Sequence, residues 1–249
     1  MRSIPWIAAI GLASIALAQT SPAPNGPVAQ LIPWLLNEDQ QLRGVPFGEL
    51  ISDTTGRKVL PFDANNAVDQ RVANAISAAC DETMKRLNAP KSAIQNIDRI
   101  NEVSSHFEDM LRELLNATPG LRCDLPLTAD GKVQRSGYPD LRITDLESKH
   151  VFYLDPKLYV AGGRDSSFRT FYFEPKKSTN KVRDDAVHFV VGFEHAPHEA
   201  ASGSANAAWK FTRWDLVDLS RCTVRLKAEF QGSNREMYRP ETIVASSAK

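Results

Sequence analysis

Apolar residues recur every three to four positions along two stretches in the first half of the chain. In residues 65–88 they are Val68, Val72, Ile76, Ala79 and Met84. In residues 92–116 they are Ile100, Val103, Phe107, Met110, Leu111, Leu114 and Leu115. Because this spacing puts apolar side chains on one face of a helix, it predicts one helix over residues 65–88 and another over residues 92–116. We expect the second helix to be broken or bent near its middle and to stop at Pro119-Gly120.

After residue 120 the pattern changes to short apolar runs of the β type, separated by turn signals such as Ala129-Asp130-Gly131. The predicted strands are residues 121–127, 139–144, 150–158, 168–173, 187–193 and 222–230. We expect a further helix near Trp209 to Leu219. Helices followed by a run of strands predict an α/β (α+β) fold, in which a mixed β-sheet is flanked by helices.

Residues 1–18 have the three parts of a secretory signal peptide. Arg2 supplies the positive charge, the apolar run from Ile4 to Leu17 follows, and Ala16 and Ala18 suit cleavage by a signal peptidase. The apolar run is shorter than the ~20 residues that span a membrane as a helix. We therefore expect a protein that is exported, periplasmic or secreted, and not stably inserted in a membrane after cleavage. An N-terminal anchor that is never cleaved is the alternative.

The rest of the chain divides by composition. Residues 19–27 are rich in Pro and Gly and predict an extended linker. We expect an N-terminal helical segment over residues 28–95, which begins with a short helix or docking segment in residues 28–42. The main domain is expected over residues 96–232 and a C-terminal tail over residues 233–249.

Composition limits the possible partners. The 249 residues contain 30 Lys+Arg and 30 Asp+Glu, so the formal net charge is zero, and 42% are hydrophobic, as in a folded globular protein. A nucleic-acid partner would therefore have to be held by a local patch of charge. Cys80, Cys123 and Cys222 are too few for a disulfide scaffold, but in an oxidising compartment one pair can form a bridge. We expect the pair to be Cys123 and Cys222, because both fall in the predicted sheet region.

Two predicted strands carry candidate catalytic residues. Asp140 opens the strand of residues 139–144, and Asp155 and Lys157 lie two residues apart on the strand of residues 150–158. Side chains at positions i and i+2 of a strand point to the same face. The loop from Thr144 to Lys149 is short enough for a hairpin, which would bring Asp140 beside Asp155. Two carboxylates can bind a hard cation such as Mg²⁺ and leave positions for a phosphate oxygen. A nearby lysine can then orient a water molecule or balance charge.

The Pro139-Asp140 pair and the Asp155-Pro156-Lys157 triplet resemble the PD-(D/E)xK nuclease superfamily, which has the fold of the restriction endonucleases. The similarity extends over about residues 100–193. It implies a nuclease-like domain within residues 96–232 that depends on Mg²⁺ (or Mn²⁺) and hydrolyses nucleic acid, DNA rather than RNA. It also implies that Asp140 and Asp155 bind the metal and that Lys157 assists the attacking water. In that family the helix before the first acid often supplies a further metal-binding glutamate. Glu108 has the matching setting, with Glu102 and Glu113 as competitors.

Other interpretations of these residues stay open at this stage. Asp140 is also typical of a turn acid, and Asp155 and Lys157 of an exposed ion pair worth under ~1 kcal/mol. The chain would then be a non-enzymatic exported binding or envelope-associated protein that keeps a nuclease-like fold. Its oligomeric state is not indicated. His188 is predicted to be a hydrogen-bonded strand residue, which by similarity could line the cleft. A basic loop either holds phosphates or is solvated, and it consists of Lys176, Lys177, Lys181 and Arg183, with Arg164 and Arg169 nearby.

Overall fold

The computed structural model describes residues 26–37, 43–167, 171–197, 208–227, 229 and 231–247. The chain forms two compact units, one over Gly44–Arg225 and one from the two chain ends, Met1–Arg43 with Leu226–Lys249. The predicted signal peptide and most of the predicted linker lie outside the described residues. None of the helices that are described is both long enough and apolar enough to cross a membrane.

The described helices are α1 (Pro27–Leu36), α2 (Phe47–Thr55), α3 (Ala67–Leu87), α4 (Ile100–Asn116) and α5 (Asn234–Met237). The two long helices confirm the prediction from apolar spacing. Asn66 begins α3, because its side chain accepts hydrogen bonds from the backbone N–H groups of Val68 and Asp69. The helix predicted over residues 92–116 is confirmed only from Ile100, and the break expected near its middle is wrong. The interruption lies at the start of that range, as a 3₁₀ turn over Ala93–Asn96 followed by extended backbone at Ile97, and α4 itself is continuous.

The described strands are β1 (Val45–Pro46), β2 (Val59–Leu60), β3 (Leu121–Asp124), β4 (Leu141–Asp145), β5 (Val151–Val160), β6 (Ala186–His195), β7 (Phe211–Asp218) and β8 (Thr223–Val224). Six of them form the main sheet in the order β2-β6-β5-β4-β3, with β7 also paired to β6. The β5–β6 and β2–β6 pairs are parallel, whereas β3–β4, β4–β5 and β6–β7 are antiparallel. This mixed sheet with flanking helices confirms the predicted fold class.

The two faces of the sheet bury different cores. On one face, α3 and α4 pack on side chains such as Phe152, Leu154 and Phe193. On the other face, Phe47 of α2 packs with Val151, Tyr153 and residues of the long β5–β6 connection. The helices α2 and α3 thus belong to the same compact unit as the sheet, although they lie within the helical segment that the sequence sets apart over residues 28–95.

The helix expected near Trp209 to Leu219 is wrong, because this segment contains β7. Trp209 and Phe211, two residues apart, face the core, as do Trp214 and Leu216 farther along. An irregularity in the β6–β7 pairing at Glu194/His195 separates the two pairs of residues. The irregularity interrupts the two-residue alternation of a strand, so the apolar positions imitate a helical spacing.

Two predicted strands need correction as well. Residues 171–173 form no strand, because Phe171 and Phe173 instead pack against the ring of Phe47; residues 168–170 lie outside the described part. Of residues 222–230, only Thr223–Val224 are described as a strand, and they pair with β1 rather than with the main sheet.

The predicted disulfide between Cys123 and Cys222 is not formed, and all three cysteines are free. Cys123 lies in the core beneath α3 and α4, whereas Cys222 packs against the core on the opposite face of the sheet. The sheet therefore separates the two thiols.

Candidate active site

One face of β5 changes from apolar to charged along the strand. Val151 and Tyr153 pack in the core beneath α2, and Asp155 and Lys157 continue the same face. Asp155 is 1% exposed, so its carboxylate is held in the interior rather than on a solvated strand. Asp155 and Lys157 are therefore not an exposed surface ion pair.

The β4–β5 hairpin brings Asp140 to Asp155. Leu141 pairs with Leu154 in the antiparallel register, so Asp140, one residue earlier, lies across from Asp155. The Lys157 ammonium forms an ion pair with Asp155 Oδ2 and lies 3.5 Å from Asp140 Oδ2. The structure thus brings three of the four predicted site residues into direct contact.

The electrostatics of this cluster are dominated by burial. Burial and the charge of Asp140 raise the pKa of Asp155 above its usual range, against the opposing charge of Lys157. Burial lowers the pKa of Lys157, but the charges of Asp155 and Asp140 outweigh burial and hold it above the usual lysine value. The neighbouring carboxyl groups therefore favour the protonated form of Lys157, whereas burial and Asp140 favour the protonated form of Asp155.

Glu108 borders the cluster. It follows the buried Phe107 on α4, and burial together with the charge of Asp140 raises its pKa to about 7. Its Oε2 lies 3.5 Å from Arg135 Nη1. Within the described residues, no three His, Cys, Asp or Glu side chains are grouped as a ready-made metal cage. Glu108 is thus near Asp140 without completing such a group.

A divalent cation fits the donor set of Asp140 and Asp155. Mg²⁺ prefers oxygen ligands and is usually bound through one or two carboxylates while it keeps several waters. Two opposed carboxylates, one of them buried, supply such ligands and would gain from a further positive charge. Glu108 is a further carboxylate on the same side. Asp140 and Asp155 are therefore the residues that would hold the metal.

Buried side chains next to the cluster form contacts that the sequence does not predict. Tyr138 Oη and His188 Nδ1 form a 2.6 Å hydrogen bond in the core, just before Asp140 in the chain. Burial lowers the pKa of His188 to about 3, so the imidazole is neutral at ordinary pH. His188 is thus a hydrogen-bonded strand residue, one of the two roles that the sequence allows it.

A second network ties the hairpin to the loop before β6. Arg142 donates two hydrogen bonds to Asp184, of 2.8 and 2.9 Å, and Tyr153 Oη donates a third of 2.7 Å to the same carboxylate. Arg142 pairs with Tyr153 across the β4–β5 hairpin. The register that aligns Asp140 with Asp155 is therefore held by side chains as well as by the backbone.

The predicted basic loop has two kinds of lysine. Lys176 is exposed and pairs with Glu174, whereas Lys181 is 1% exposed and its ammonium donates to the carbonyl oxygens of Gln134 and Arg135, at 3.3 and 3.5 Å. Burial lowers the pKa of Lys181. No local pattern separates Lys181 from Lys177, because its burial depends on contacts with a distant loop. Arg169 lies outside the described residues.

A mixed sheet with flanking helices, with two acids and a lysine on its central hairpin, defines a protein of the restriction-endonuclease-like class. The family model of the type II restriction enzyme MjaV family matches residues 40–241. The type II restriction enzyme MjaV of Methanocaldococcus jannaschii is 27% identical over 215 residues, which are 82% of this chain and 90% of that enzyme. The chain belongs to the type II restriction enzyme MjaV family, which is a family of nucleases.

Proposed function

We propose that the protein is a metal-dependent endonuclease that hydrolyses phosphodiester bonds in DNA. Its active site would consist of Asp140, Asp155 and Lys157. The observation that carries the proposal is the contact of one lysine with two opposed carboxylates on a largely buried sheet face. Membership of a restriction enzyme family supports a nuclease over a non-enzymatic binding protein. On this proposal, residues 139–140 and 155–157 are a PD-(D/E)xK motif.

The roles of the residues follow from their charges. Mg²⁺ or Mn²⁺, when bound, would polarise the scissile phosphate and acidify a water molecule. Asp140 and Asp155 would bind the cation, with Glu108 as a further carboxylate. The Lys157 ammonium would donate hydrogen bonds that orient the attacking water or stabilise charge on the phosphate.

The proposal is tested by incubating the purified full chain with linear DNA, supercoiled DNA and RNA, each with Mg²⁺, Mn²⁺ or EDTA. We expect cleavage of DNA into discrete fragments, because type II restriction enzymes cut at defined sequences, and no cleavage in EDTA. A folded sample that cuts no substrate with either metal, or one that cuts equally well in EDTA, would contradict the proposal.

Export of the protein is proposed on the residues of the N-terminus alone. Residues 1–18 have the pattern of a signal peptide, and the family match begins later, at residue 40. The test is the intact mass of the protein recovered from its host. A chain that begins at Gln19 outside the cytoplasm supports export, and a chain that keeps residues 1–18 inside the cytoplasm contradicts it.

A further inference from the structure

The loop that leads into Asp140 places a guanidinium beside Glu108, the carboxylate that borders the acidic cluster. Arg135 Nη2 donates to Asp109 Oδ1 at 2.7 Å, and its Nη1 lies 3.5 Å from Glu108 Oε2. The Arg135 side chain is 47% exposed, so it is open to a ligand from solvent. One nitrogen is thus anchored by a short bond, while the other makes a contact with Glu108 at the limit of hydrogen bonding.

A second residue, Lys181, holds the backbone of Arg135. The Lys181 ammonium donates to the carbonyl oxygens of Arg135 and of its neighbour Gln134. This ammonium is 1% exposed, and besides the two carbonyls it interacts electrostatically with the carboxyl groups of Asp140, Asp155 and Glu108, which offset part of the cost of burial. Lys181 therefore links the loop that carries Arg135 to the acidic cluster.

Guanidinium and phosphate match in chemistry and geometry. Arginine keeps its charge at any ordinary pH and offers parallel N–H donors that fit two oxygens of a phosphate. In the transition state of phosphoryl transfer, negative charge is spread over the non-bridging oxygens, where positioned donors can stabilise it. A donor that is fixed in advance stabilises that charge without having to reorganise.

We propose that Arg135 is a further catalytic residue, which donates hydrogen bonds to a non-bridging oxygen of the scissile phosphate, and that Asp109 and Lys181 are its positioning residues. The inference rests on the proposed nuclease function. In the reaction, the oxygen of water bonds to phosphorus, the ester bond to the leaving sugar oxygen breaks, and that oxygen gains a proton. Arg135 forms no covalent bond and releases no proton.

The structure offers a matched control in Arg112. It is 39% exposed and contacts the same carboxylate, with Nη2 at 3.2 Å from Asp109 Oδ1, but no contact joins it to Glu108 in the described structure. Arg112→Gln therefore removes a cation and an ion pair of the same kind from the same helix surface. A general loss of charge or of stability would affect both variants alike.

The test is the single-turnover rate of DNA cleavage at saturating enzyme and Mg²⁺. We expect Arg135→Gln to be slower by about 10²–10³-fold, as for loss of one preorganised donor, and Arg112→Gln to stay within about threefold of the wild type. Free guanidinium ion at low millimolar concentration should restore part of the rate of Arg135→Ala and leave that of Arg112→Ala unchanged. A merely structural role of Arg135 would not give that rescue.

Three outcomes would overturn the proposal: Arg135→Gln at the wild-type rate, an equal loss in Arg112→Gln, or no rescue of a folded Arg135→Ala. Lys181→Met gives an independent check. Assayed below its melting temperature, it should cleave more slowly than the wild type, without rescue by guanidinium. Full activity of Lys181→Met would remove its positioning role. A wild-type protein that cuts no DNA would overturn the proposed function itself.

Discussion

Lys157 determines how two carboxylates coexist on one buried face. Its ammonium contacts both Asp140 and Asp155, and the pKa of Asp155 is raised even with this cation beside it. Without Lys157 the two acids would lose the cation that contacts them both. At the scale of single residues, the candidate site is therefore a place where charge is held at a cost in stability and where a bound cation would recover that cost.

We predict that Lys157→Met lowers the free energy of unfolding by about 1–3 kcal/mol near neutral pH in EDTA, because it leaves the buried acids without their partner. Mg²⁺ should raise the melting temperature of this variant more than that of the wild type, since a cation bound only by the folded state stabilises it. Thermal unfolding with and without Mg²⁺ measures both effects. Lys85→Met, at an exposed side chain, is the control and should change little. No loss of stability in Lys157→Met would contradict this account.

These three site residues are predictable from sequence because they depend on local geometry. The two-residue spacing of Asp155 and Lys157 places them on one face, and a short turn brings Asp140 across from Asp155. The other contributors depend on contacts between distant residues. Lys181 reaches a loop 46–47 residues earlier, and Tyr138 meets His188 50 residues later. The spacing of apolar residues along the chain does not show which distant residues pair. The residues that support the site are therefore identified only in the structure.

At the scale of elements, the β4–β5 hairpin aligns the site, and its turn is built on Asp145. The Asp145 carboxylate accepts hydrogen bonds from Ser148 N and Oγ, both of 2.8 Å, and from Arg71 of α3 at 2.5 Å. Burial alone would raise the pKa of Asp145, but these hydrogen bonds outweigh it and lower the pKa to about 2. The turn is thus closed by an ionised carboxylate that also fastens the hairpin to α3.

We predict that Asp145→Asn lowers the free energy of unfolding by about 1–2 kcal/mol near neutral pH, a value reduced because Arg71 is partly exposed. The pKa of Asp145 is lower in the folded state than in the unfolded state. Its stabilisation is therefore complete above about pH 4 and is lost as the pH falls through about 2. Urea unfolding of both proteins across this range should show the difference shrink towards zero. Glu147→Gln, at an exposed carboxylate 3.9 Å from Arg71, is the control.

The two long helices were predictable at this scale, because apolar residues recur along them every three to four positions. Val103, Phe107, Leu111 and Leu115 of α4 are all buried, and each follows the previous one after four residues. The strand β7 was not predictable, because the irregularity beside Glu194 and His195 breaks its alternation. A change in backbone pairing of this kind has no signature in the sequence of one strand.

At the scale of the whole molecule, the sheet divides the interior into two cores, and each core contains or contacts at least one cysteine. Cys80 and Cys123 are buried in the core beneath α3 and α4, and burial raises the pKa of Cys123 to about 12. Cys222 is partly exposed on the other side of the sheet. Reactivity of the thiols thus measures how well each core excludes solvent.

We predict that Cys222 reacts with a thiol reagent in the native protein before the two buried cysteines do, and that all three cysteines react after denaturation without reduction. Cys222→Ser should abolish the native reaction and leave two thiols in the denatured protein. Mass spectrometry of the labelled protein identifies the site. Only one reactive thiol in denatured, unreduced protein would show that a disulfide forms after all.

The fold class was predictable from the sequence of the whole chain, since two amphipathic helices followed by short strands favour a sheet with helices packed on it. Composition does not show how the short strands pair. The short strand β2 pairs with β6 at Ala186 and Val187, and this long-range pairing draws residues before position 96 into the main unit. Two residues of a strand are too few to show a pattern.

On the proposed function, Asp155 carries catalysis, and a buried acid elsewhere on the same hairpin does not. The most direct measurement is the single-turnover rate of DNA cleavage by Asp155→Asn beside Asp145→Asn, both with Mg²⁺ and both below their melting temperatures. The two variants exchange a buried aspartate for its amide on neighbouring strands of the same hairpin. We predict a loss of at least ~10³-fold for Asp155→Asn and a rate within about threefold of the wild type for Asp145→Asn. An Asp155→Asn variant that cleaves DNA as fast as Asp145→Asn would contradict the account.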